Sequence, residues 1–543
     1  MATNGARNLS GGPVLNGSTY DYVIVGAGSA GCVLAARLSE DPDVSVCLLE
    51  AGGSDAVATI TTPAAGGSLI RSQYDWDYDT HDEPHCNGRR LYLPRGRVLG
   101  GTSSINGMVH IRGNRLDFDD WQLPGWSYDE LLPYFKRSED NERGASPYNG
   151  VGGPLPVAEN RSKNPMSTAF VQAAVESGQP ANIDFNGPSQ DGFGYYQVNQ
   201  RNGRRFSGAA GYLRPVMDRP NLTVHTHVQT HRVVIEGGQA RGVDCQRLDE
   251  TYRINARREV ILSAGAYNSP QLLMLSGIGP ADLLTGLGIT VWVDQPEVGR
   301  NLQDHPASYL VFSHSHPISL LSAGQAEYVR LFEEEGRGPL TSNVPEAGGF
   351  VRTREELAAP DVQFHVLPVM FMECALGVPP AHGISFGPCV LKPDSRGEVT
   401  LASSDPTVKP RIRHNYYSAE SDLETMVAGL RVAMNIARQD ALIPYTEQRH
   451  SYPASDSDAD LRAYARAGTH SIFHPVGTCA MGTVLDAELR VNGVSGLRVV
   501  DASIMPSIPR GNTNAPTVAL AERAADLIRG RTSAPAELAP ANR

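Results

Sequence analysis

The chain lacks the concentrated positive charge of proteins that bind nucleic acid or anionic membranes. Its 59 acidic residues outnumber its 47 basic ones, its net charge is −12, and it holds no block of five or more like charges. Binding to phosphate backbones or anionic lipid depends on clustered basic side chains. We therefore exclude nucleic acid and a membrane surface as partners and expect a small-molecule ligand.

A long apolar run is also missing. The sequence contains no stretch of 18 apolar residues, and residues 1–18 are rich in Gly, Asn and Ser. A membrane-spanning helix needs about 20 apolar residues, and a secretory signal needs an apolar core. These absences predict a soluble, cytoplasmic protein. We expect residues 1–18 and the Pro/Ala-rich residues 532–543 to be disordered.

Cysteine is too sparse and too scattered to build the fold. The 7 cysteines form no CxxC pair and no Cys/His cluster at the spacing of metal ligands. We therefore expect neither a disulfide framework nor a metal site. With 543 residues and 41% hydrophobic content, the chain can instead bury large cores in two or more domains.

Among the features that are present, the segment Asp21–Glu50 is the most informative. Its pattern predicts a strand at Tyr22–Val25, a helix at Ala30–Leu38 and a second strand at Ser45–Leu49. The first strand is apolar and β-branched, and the helix carries helix formers at helical spacing. The unit therefore has the order strand, glycine turn, helix, strand.

The glycines and the acid of this segment predict a dinucleotide site. Gly26 makes the tight turn, Gly28 lets the backbone approach a pyrophosphate, and Gly31 lets the helix pack closely on the strand. Glu50 ends the second strand, 19 residues after Gly31, where a carboxylate accepts hydrogen bonds from an adenosine ribose. An acid at this position disfavours NADP. The motif alone leaves both FAD and NAD open.

Further strands and helices follow along the chain. Alternation around Gly237-Gly238 predicts a β-meander, and the apolar run Glu259–Ser263 predicts a strand that leads into a turn at Asn268-Ser269-Pro270. Near the C-terminus we expect a strand at Leu497–Val500 and a helix from Pro516 to Ile528.

The region between these nucleotide-binding segments contains no phosphate-cradling loop. It holds predicted strands at Asp361–Leu367 and Glu398–Leu401, and an amphipathic helix with an apolar face from Leu423 to Met434. Ser418 is the expected N-cap of that helix. The Gly/Pro-rich segment Phe371–Pro388 is predicted to form a loop or lid.

Five segments, taken in order, resemble the glucose-methanol-choline (GMC) flavoprotein oxidoreductases. They are GAGSAG at 26–31, GRVLGGTSSINGMV at 96–109, GAYNSPQLLMLSGIG at 265–279, VGRNLQDH at 298–305, and HPVGT with the downstream VVDASIMPSIPRGNTNAPT. Together they span nearly the whole chain. FAD as the cofactor is implied by this resemblance.

The resemblance also implies which residues contact FAD. The pyrophosphate and adenosine would meet Gly26, Ala27, Gly28, Gly31, Glu50, Ala51 and Thr230. The flavin and its ribityl-phosphate chain would run along Arg97, Gly101, Thr102, Asn106 and Gly107. Asp501 and Ala502 would form a second pyrophosphate contact, with Asn514 and Pro516 beside the isoalloxazine ring.

The catalytic pair implied by the resemblance is His474, in HPVGT, and Asn512, in GNTN. Oxidation of an alcohol removes the hydroxyl proton while the α-hydride moves to flavin N5, and a neutral imidazole suits that proton near neutrality. Asn512 can orient the alcohol oxygen and donate to the developing alkoxide. Phe473 is expected to narrow the substrate pocket. The other interpretation of His474, outside the context of these motifs, is a structural histidine.

Three positions depart from the family pattern. Some relatives attach the flavin through a histidine, and the aligned residue here is Ile105, so we predict non-covalent FAD. His110 stands where the family has an aromatic residue or alanine, and is either a packing substitution or a polar contact near the flavin. Ala480 replaces a common arginine.

The fold implied is α/β, with a Rossmann-like FAD-binding domain that combines a parallel sheet and a β-meander. An inserted α+β substrate domain adds an antiparallel sheet and helices. We expect the FAD-binding domain to comprise residues 19–155, 216–305 and 469–531, and the substrate domain residues 156–215 and 306–468. The oligomeric state is not indicated by the sequence.

The function expected from this resemblance is FAD-dependent oxidation of an alcohol CH–OH to an aldehyde or ketone, with O₂ or a quinone-like compound as electron acceptor. Two alternatives are a non-redox enzyme like the hydroxynitrile lyases and an FAD-binding protein without turnover. The lyases carry histidine at both catalytic positions, so Asn512 counts against the first, and the His474–Asn512 pair counts against the second. The substrate is not identified, although the chain resembles choline dehydrogenases.

Overall fold

The glycine turn lies between a strand at Thr19–Val25 and a helix at Ser29–Leu38 in the computed structural model, which describes residues 16–373 and 376–532. The second strand of the unit is Val46–Leu49 and runs parallel to the first, with Val23 opposite Cys47. Residues 22–25 of the first strand and all of the second strand are buried, which explains their continuous apolar sequences.

A seven-stranded sheet contains this unit. Strands Leu222–His225, Val46–Leu49 and Thr19–Val25 run parallel to the second half of Glu250–Leu262. The remaining three strands are Gln239–Arg247, Gln229–Glu236 and Leu497–Val499.

The long strand Glu250–Leu262 makes both antiparallel and parallel pairings within this sheet. Its first half pairs antiparallel with Gln239–Arg247, and its second half pairs parallel with Leu497–Val499. The predicted hairpin turn is present, because Gly237 and Gly238 both have positive φ, at 58° and 76°. The meander therefore continues directly into the parallel part of the sheet.

The α-helices of the described residues are α1 Ser29–Leu38, α2 Ala58–Thr61, α3 Arg115–Asp119, α4 Tyr128–Ser138, α5 Pro165–Glu176, α6 Gly265–Leu275, α7 Ala281–Gly286, α8 Ala326–Glu335, α9 Glu420–Ile436, α10 Asp458–Gly468 and α11 Asn514–Ile528. Helices α1 and α11 pack against each other, and α1 packs on strands Thr19–Val25 and Val46–Leu49. Buried Glu522 of α11 joins them, since its carboxylate accepts two hydrogen bonds from Arg37 at 2.8 and 2.9 Å and one from Tyr212 at 2.6 Å.

The second large sheet of the protein is antiparallel and has eight strands. Its main path is Gln448–Ser451, Leu310–Ser313, Gly383–Val390, Val362–Leu367, Ala347–Val351 and Gly192–Tyr195, and Pro306–Ala307 and His470–Ser471 join at its edge. Helix α9 packs on this sheet, with its predicted apolar face from Leu423 to Met434 buried. A separate hydrophobic core lies between them.

Short two-stranded ladders complete the strands. They pair Tyr78–Asp79 with Tyr92–Leu93, Glu139–Asn141 with Leu155–Val157, Gln200–Arg201 with Arg204–Arg205, Ile278–Gly279 with Val293–Asp294, and Glu398–Thr400 with Arg411–Arg413.

The starts of α9 and α11 differ from the sequence prediction, and α1 starts one residue earlier than predicted, at Ser29. The N-cap of α9 is Ala419, so the prediction of Ser418 was wrong. Ser418 instead belongs to the preceding turn, where its backbone N–H donates to the Asn415 carbonyl at 3.1 Å. Helix α11 begins at Asn514, two residues before the predicted start at Pro516, which is compatible with proline because the first-turn N–H groups need no helical partner.

The predicted turn at Asn268-Ser269-Pro270 was also wrong, because these residues lie inside α6. A proline within a helix leaves the carbonyl four residues earlier without its partner. Here the Thr478 hydroxyl donates to that carbonyl, on Ala266, at 2.6 Å. A side chain distant in sequence thus compensates for Pro270.

The predicted loop or lid at Phe371–Pro388 was only partly right. Its second half belongs to the central strand Gly383–Val390, whose residues are all buried. Close packing explains its glycines, because a Cβ on Gly383 would lie 2.2 Å from the Phe312 carbonyl oxygen and one on Gly387 would lie 2.2 Å from that of Ser308. Residues 371–373 and 376–382 form the loop.

The α/β fold class is confirmed by the two kinds of sheet and their helices. The proposed domain boundaries remain a prediction. The predicted disorder of residues 1–18 and 532–543 falls largely outside the described residues, although residues 16–18 are hydrogen-bonded to Arg253 and Asn255. Within the described part of the chain, no helix is both long and apolar enough to cross a membrane.

Candidate active site

One cavity of about 620 Å³ runs from the glycine turn to His474. Its lining includes Val25 and Leu49, the last residues of two parallel strands, and residues of the eight-stranded sheet such as Leu367 and Ser471. Most of the predicted cofactor-binding residues line it, namely Gly26, Gly28, Glu50, Ala51, Gly101, Thr102, Asn106, Gly107, Thr230, Asp501, Ala502 and Asn514. Both predicted catalytic residues and Phe473 line it too. Ala27, Gly31, Arg97 and Pro516 are not among the lining residues.

The glycines of the turn are required by close packing. Gly26 has φ +99°, and a Cβ there would lie 2.5 Å from the Ser263 carbonyl oxygen. A Cβ on Gly31 would lie 1.9 Å from the Gly26 carbonyl oxygen, which shows how tightly α1 meets the strand. At Gly28 the nearest atom would be 3.9 Å away. Gly28 therefore presents open backbone to the cavity at the start of α1.

The Glu50 carboxylate contacts the glycine turn directly. Its two carboxylate oxygens accept the backbone N–H of Ala27 at 2.9 Å and of Gly52 at 2.8 Å. Burial raises its pKa to about 7, against the lowering effect of these hydrogen bonds and of the Arg97 charge. Each oxygen keeps a free lone pair, so the carboxylate can still accept hydrogen bonds from a bound ligand.

Two hydroxyl groups at this end of the cavity have no hydrogen-bond partner among the described residues. The Thr230 Oγ1 and Ser263 Oγ atoms are buried without a hydrogen bond, and both residues line the cavity. A buried hydroxyl without a partner is costly, so native structures usually supply one. These two hydroxyls are therefore suited to a polar ligand in the nucleotide end of the cavity.

The C-terminal segments close the other wall. The Asp501 carboxylate accepts the backbone N–H of Gly265 at 2.9 Å and the hydroxyl of Ser269 at 2.5 Å, which ties it to the start of α6. At the start of α11, the Asn514 side-chain oxygen accepts the Ser29 hydroxyl at 2.7 Å. Both helix N-termini, α1 and α11, therefore meet at the cavity.

The loop after Arg95 forms the middle of the cavity. Gly101 has φ +53°, and a Cβ there would lie 2.6 Å from the Cα of Gly28, so the loop packs directly on the glycine turn. Asn106 is held by Arg205, whose buried guanidinium donates to the Asn106 backbone carbonyl at 2.5 Å and side-chain oxygen at 3.1 Å. Burial lowers the pKa of Arg205 to about 9, and no carboxylate of the described residues pairs with it.

His474 and Asn512 meet at the far end of the cavity. The Nδ2 of Asn512 lies 3.1 Å from the Nε2 of His474, and the Asn512 side-chain oxygen accepts the amide of buried Gln363 at 3.3 Å. This second contact sets which end of the Asn512 amide faces the histidine. Asn512 therefore donates an N–H to Nε2.

His305 fixes the tautomer of His474. Its Nε2 lies 3.0 Å from the Leu391 carbonyl, which can only accept, so Nε2 of His305 carries the proton. Burial lowers the pKa of His305 to about 4, which leaves the ring neutral and its Nδ1 with a lone pair. The Nδ1 of His474 lies 3.0 Å from that atom and must donate to it. The lone pair of His474 is consequently on Nε2, facing Asn512 and the cavity.

The backbone of His474 is held by Asp304. Asp304 accepts the backbone N–H of His474 at 2.7 Å, and its other oxygen accepts the hydroxyl of Tyr416 at 2.6 Å. Phe473, which comes directly before His474, has φ +71°, a left-handed conformation that costs energy for a bulky side chain. The Arg95 guanidinium donates to the Phe473 carbonyl at 2.6 Å and helps to hold it.

His474 is neutral in this environment. Burial holds its pKa well below its usual value of 6.5, and repulsion from His305, His365 and Arg95 lowers it further. A neutral ring with a lone pair directed into a cavity can accept a proton from a ligand.

His110 does not line the cavity. It is buried, with its Nε2 3.3 Å from the Glu139 carboxylate, and Glu139 is also paired with Arg112. Of the two interpretations of this residue, the structure therefore favours packing. Nothing in the structure explains Ala480, which is buried, in place of the usual arginine.

The sequence interpretation assigned no role to several residues that build the site. They are Arg95, Arg205, Asp304, His305 and Gln363. Asp304 and His305 lie within VGRNLQDH, so this family motif could have identified them as residues of the site. Gln363 and Arg205 lie in no recognised segment, and only the tertiary structure brings them to the cavity.

Comparisons with known proteins match this chain to a family of oxidoreductases. A family model described as GMC oxidoreductase matches residues 20–307, and its C-terminal counterpart matches residues 393–521. The chain is 44% identical over 542 residues to an oxygen-dependent choline dehydrogenase of Ectopseudomonas mendocina, covering 96% of each.

Solved structures are similar over nearly the full length. A pyridoxine 4-oxidase from Mesorbium loti is 32% identical with a TM-score of 0.86, covering 95% of this chain and 100% of that one. A formate oxidase of Aspergillus oryzae, studied for its FAD modification, is 30% identical with a TM-score of 0.88, covering 95% and 99%.

Proposed function

This chain belongs to the GMC oxidoreductase family, and we propose that it is an FAD-dependent oxidase or dehydrogenase acting on a primary or secondary alcohol. The product would be the aldehyde or ketone. The observation that carries the proposal is the His474–Asn512 pair at one end of a cavity whose other end is the glycine turn. An electron-transfer cofactor and a proton acceptor are the two requirements of alcohol oxidation, and this arrangement supplies a place for both.

The residues present fit FAD. The open backbone of Gly28 at the N-terminus of α1 is suited to a pyrophosphate, and the unpartnered hydroxyls of Thr230 and Ser263 are suited to the adenosine half. Glu50 keeps lone pairs for a ribose. Gly101, Asn106 and their neighbours would hold the flavin half. We propose that FAD is bound non-covalently, because Ile105 offers no nucleophilic atom for a bond to the flavin.

When bound, FAD supplies the acceptor for the hydride that leaves the carbinol carbon. His474 takes the hydroxyl proton at Nε2, the atom left with a lone pair by the His305 contact. Because the ring is neutral at working pH, it is ready to accept the proton without first losing one. A positioned base of this kind contributes roughly 10²- to 10⁴-fold to the rate.

Asn512 orients the alcohol. Without a substrate, one of its N–H groups donates a hydrogen bond to His474 Nε2. A substrate O–H would replace that contact, and the amide would then donate to the alcohol oxygen. Gln363 keeps the amide in the donating orientation throughout. As negative charge develops on the oxygen, this hydrogen bond strengthens and favours the transition state.

The walls near His474 favour an uncharged alcohol. Within the described residues, the acids that line the cavity are Glu50 and Asp501, both at the nucleotide end. The substrate end is formed by apolar and aromatic side chains and neutral histidines, including Val344, Leu367 and Phe473. A quaternary ammonium such as choline would be desolvated there without a carboxylate. We therefore expect choline to be a poor substrate, although similar enzymes are named choline dehydrogenases.

The test is anaerobic mixing of the flavin-loaded protein with a panel of alcohols at pH values from about 6 to 9. Bleaching of the flavin by an uncharged alcohol, with little or none by choline, is expected. Steady-state turnover with O₂, read as peroxide, against turnover with a quinone-like dye would identify the electron acceptor. A panel in which no alcohol bleaches the flavin would refute the proposal, and turnover of mandelonitrile with an unchanged flavin spectrum would favour a lyase.

A further inference from the structure

Arg205 lines the cavity and has one side-chain nitrogen without a hydrogen-bond partner. The residue is 5% exposed, and its Nε and Nη1 donate to the backbone carbonyls of Ile60, Ser103 and Asn106 and to the Asn106 side-chain oxygen. Its Nη2 makes no hydrogen bond among the described residues, yet it is not one of the fully enclosed atoms that lack a partner. The two N–H groups of Nη2 are therefore available to a ligand.

This nitrogen lies next to the part of the cavity wall formed by the 3₁₀ helix Pro63–Leu69. A Cβ built on Gly66 would lie 4.0 Å from Nη2, and Gly66 lines the cavity. Gly67 also lines the cavity, is exposed to solvent, and would have no atom within 4 Å of its Cβ. The cavity is thus open at these two glycines, and Nη2 lies beside the opening.

The charge of Arg205 has no counter-charge among the described residues. Burial lowers its pKa to about 9 and no carboxylate opposes that effect, so the guanidinium is still charged near neutrality. The acids that line the described cavity, Glu50 and Asp501, are held by backbone N–H groups at the nucleotide end. A buried cation is costly unless an anion or oxygen acceptors surround it. Carbonyl oxygens occupy Nε and Nη1, which leaves Nη2 for an anion.

We infer that Arg205 Nη2, at the opening beside Gly66, is a binding site for the anionic oxygen of a small carboxylate ligand. Hydrogen bonds from a guanidinium to a carboxylate are among the stronger ones in proteins. The site uses none of the atoms assigned to the His474–Asn512 pair. Binding there needs no turnover, so the inference goes beyond the proposed alcohol oxidation and does not rest on it.

The surroundings favour a ligand that enters from solvent and has an apolar body. The FAD pyrophosphate has its own expected place at the open backbone of Gly28. Pro63, Ala64 and Leu69 of the 3₁₀ helix also line the cavity, and their side chains offer no hydrogen-bonding atom. An apolar body would contact these side chains while its carboxylate meets Nη2. The same positive charge would repel a quaternary ammonium.

The experiment measures the binding of acetate and benzoate to the flavin-loaded protein by isothermal titration calorimetry at constant ionic strength. Each carboxylate is matched with its amide, acetamide or benzamide, which keeps the shape and loses the charge. We expect benzoate to bind more tightly than benzamide by roughly 10-fold or more, because hydrogen bonds between charged groups are the stronger ones.

Three glycine variants locate the site. Gly66→Asp places a carboxylate beside Nη2 and should weaken benzoate binding by roughly 10-fold or more. Gly66→Ala adds only a Cβ, at an ordinary contact distance from Nη2, and should keep the affinity within about threefold. Gly67→Asp adds the same charge where the Cβ meets no neighbour, and should lose less affinity than Gly66→Asp. Neither glycine has a positive φ, so a side chain is compatible with both backbones. Flavin content and thermal unfolding of all three variants are measured beside the wild type.

Several results would overturn the inference. They are a wild type that binds neither carboxylate, equal affinity for benzoate in Gly66→Asp and Gly66→Ala, and equal losses in the two aspartate variants. Loss of flavin from Gly66→Asp alone would assign Nη2 to the cofactor and would overturn it as well. A wild type whose flavin no alcohol reduces would refute the proposed function only, because carboxylate binding is measured directly.

Discussion

Replacing His305 by leucine removes the acceptor that faces the Nδ1–H of His474. The two rings are 3.0 Å apart between their Nδ1 atoms and both are buried, so the donor left behind has no water to turn to. Without that acceptor, His474 can move its proton to Nε2, where it blocks the lone pair that the reaction needs. We expect the flavin to be reduced more slowly by alcohol in His305→Leu.

The size of this effect follows from the hydrogen bond. Leaving a buried donor unsatisfied costs about 1–3 kcal/mol. Since about 1.4 kcal/mol corresponds to a tenfold change in rate, flavin reduction should slow by roughly 5- to 150-fold. His305→Gln, whose amide oxygen can accept the same N–H, should recover part of the loss.

The assay is anaerobic stopped-flow reduction of the bound flavin at saturating alcohol. His314→Leu serves as a matched control, because His314 is another buried histidine that contacts Met166, outside the cavity wall. Thermal unfolding separates lost stability from a changed tautomer, since His305 also donates to the Leu391 carbonyl. Wild-type rates in His305→Leu, or equal losses in the leucine and glutamine variants, would refute the tautomer argument.

Three further predictions concern the same site. His474→Ala should slow flavin reduction by roughly 10²- to 10⁴-fold with flavin still bound, and a variant within about threefold of wild type would move the base elsewhere. Because the pKa of His474 is held well below 6.5 and the neutral ring is the active form, kcat/KM for reduction should stay level as the pH falls through 6.5 and be lost only below it; an acid limb centred above neutrality would contradict this. Gly101→Ala should purify with little or no flavin absorbance, since φ is +53° and a Cβ would lie 2.6 Å from Gly28, whereas Gly286→Ala, with open space around its Cβ, should keep its flavin.

Local patterns predicted the elements that depend on local forces. The apolar strand before Gly26, the helix after Gly28 and the turn at Gly237-Gly238 all form, because each is specified by burial on both faces or by backbone conformations that glycine adopts readily. The family motifs HPVGT and GNTN predicted that His474 and Asn512 act as a pair. In the fold these two side chains are in hydrogen-bonding contact.

The missed features depend on partners distant in sequence. Pro270 is typical of a turn, and only the Thr478 hydroxyl at the Ala266 carbonyl makes its helical position acceptable. His305 lies 169 residues before His474, so its effect on the tautomer is visible only in three dimensions. Gln363, which sets the Asn512 amide, lies on a strand of the other sheet.

The strand Leu497–Val499 has a consequence for how the protein is made. It completes the seven-stranded sheet beside Glu250–Leu262, and α11 then covers α1. During synthesis these segments leave the ribosome long after the glycine turn, so one edge of Glu250–Leu262 stays unpaired until then. Asp501 and Asn514 line the cavity, so a chain interrupted before Asp501 would carry the nucleotide-binding signature without a finished cavity.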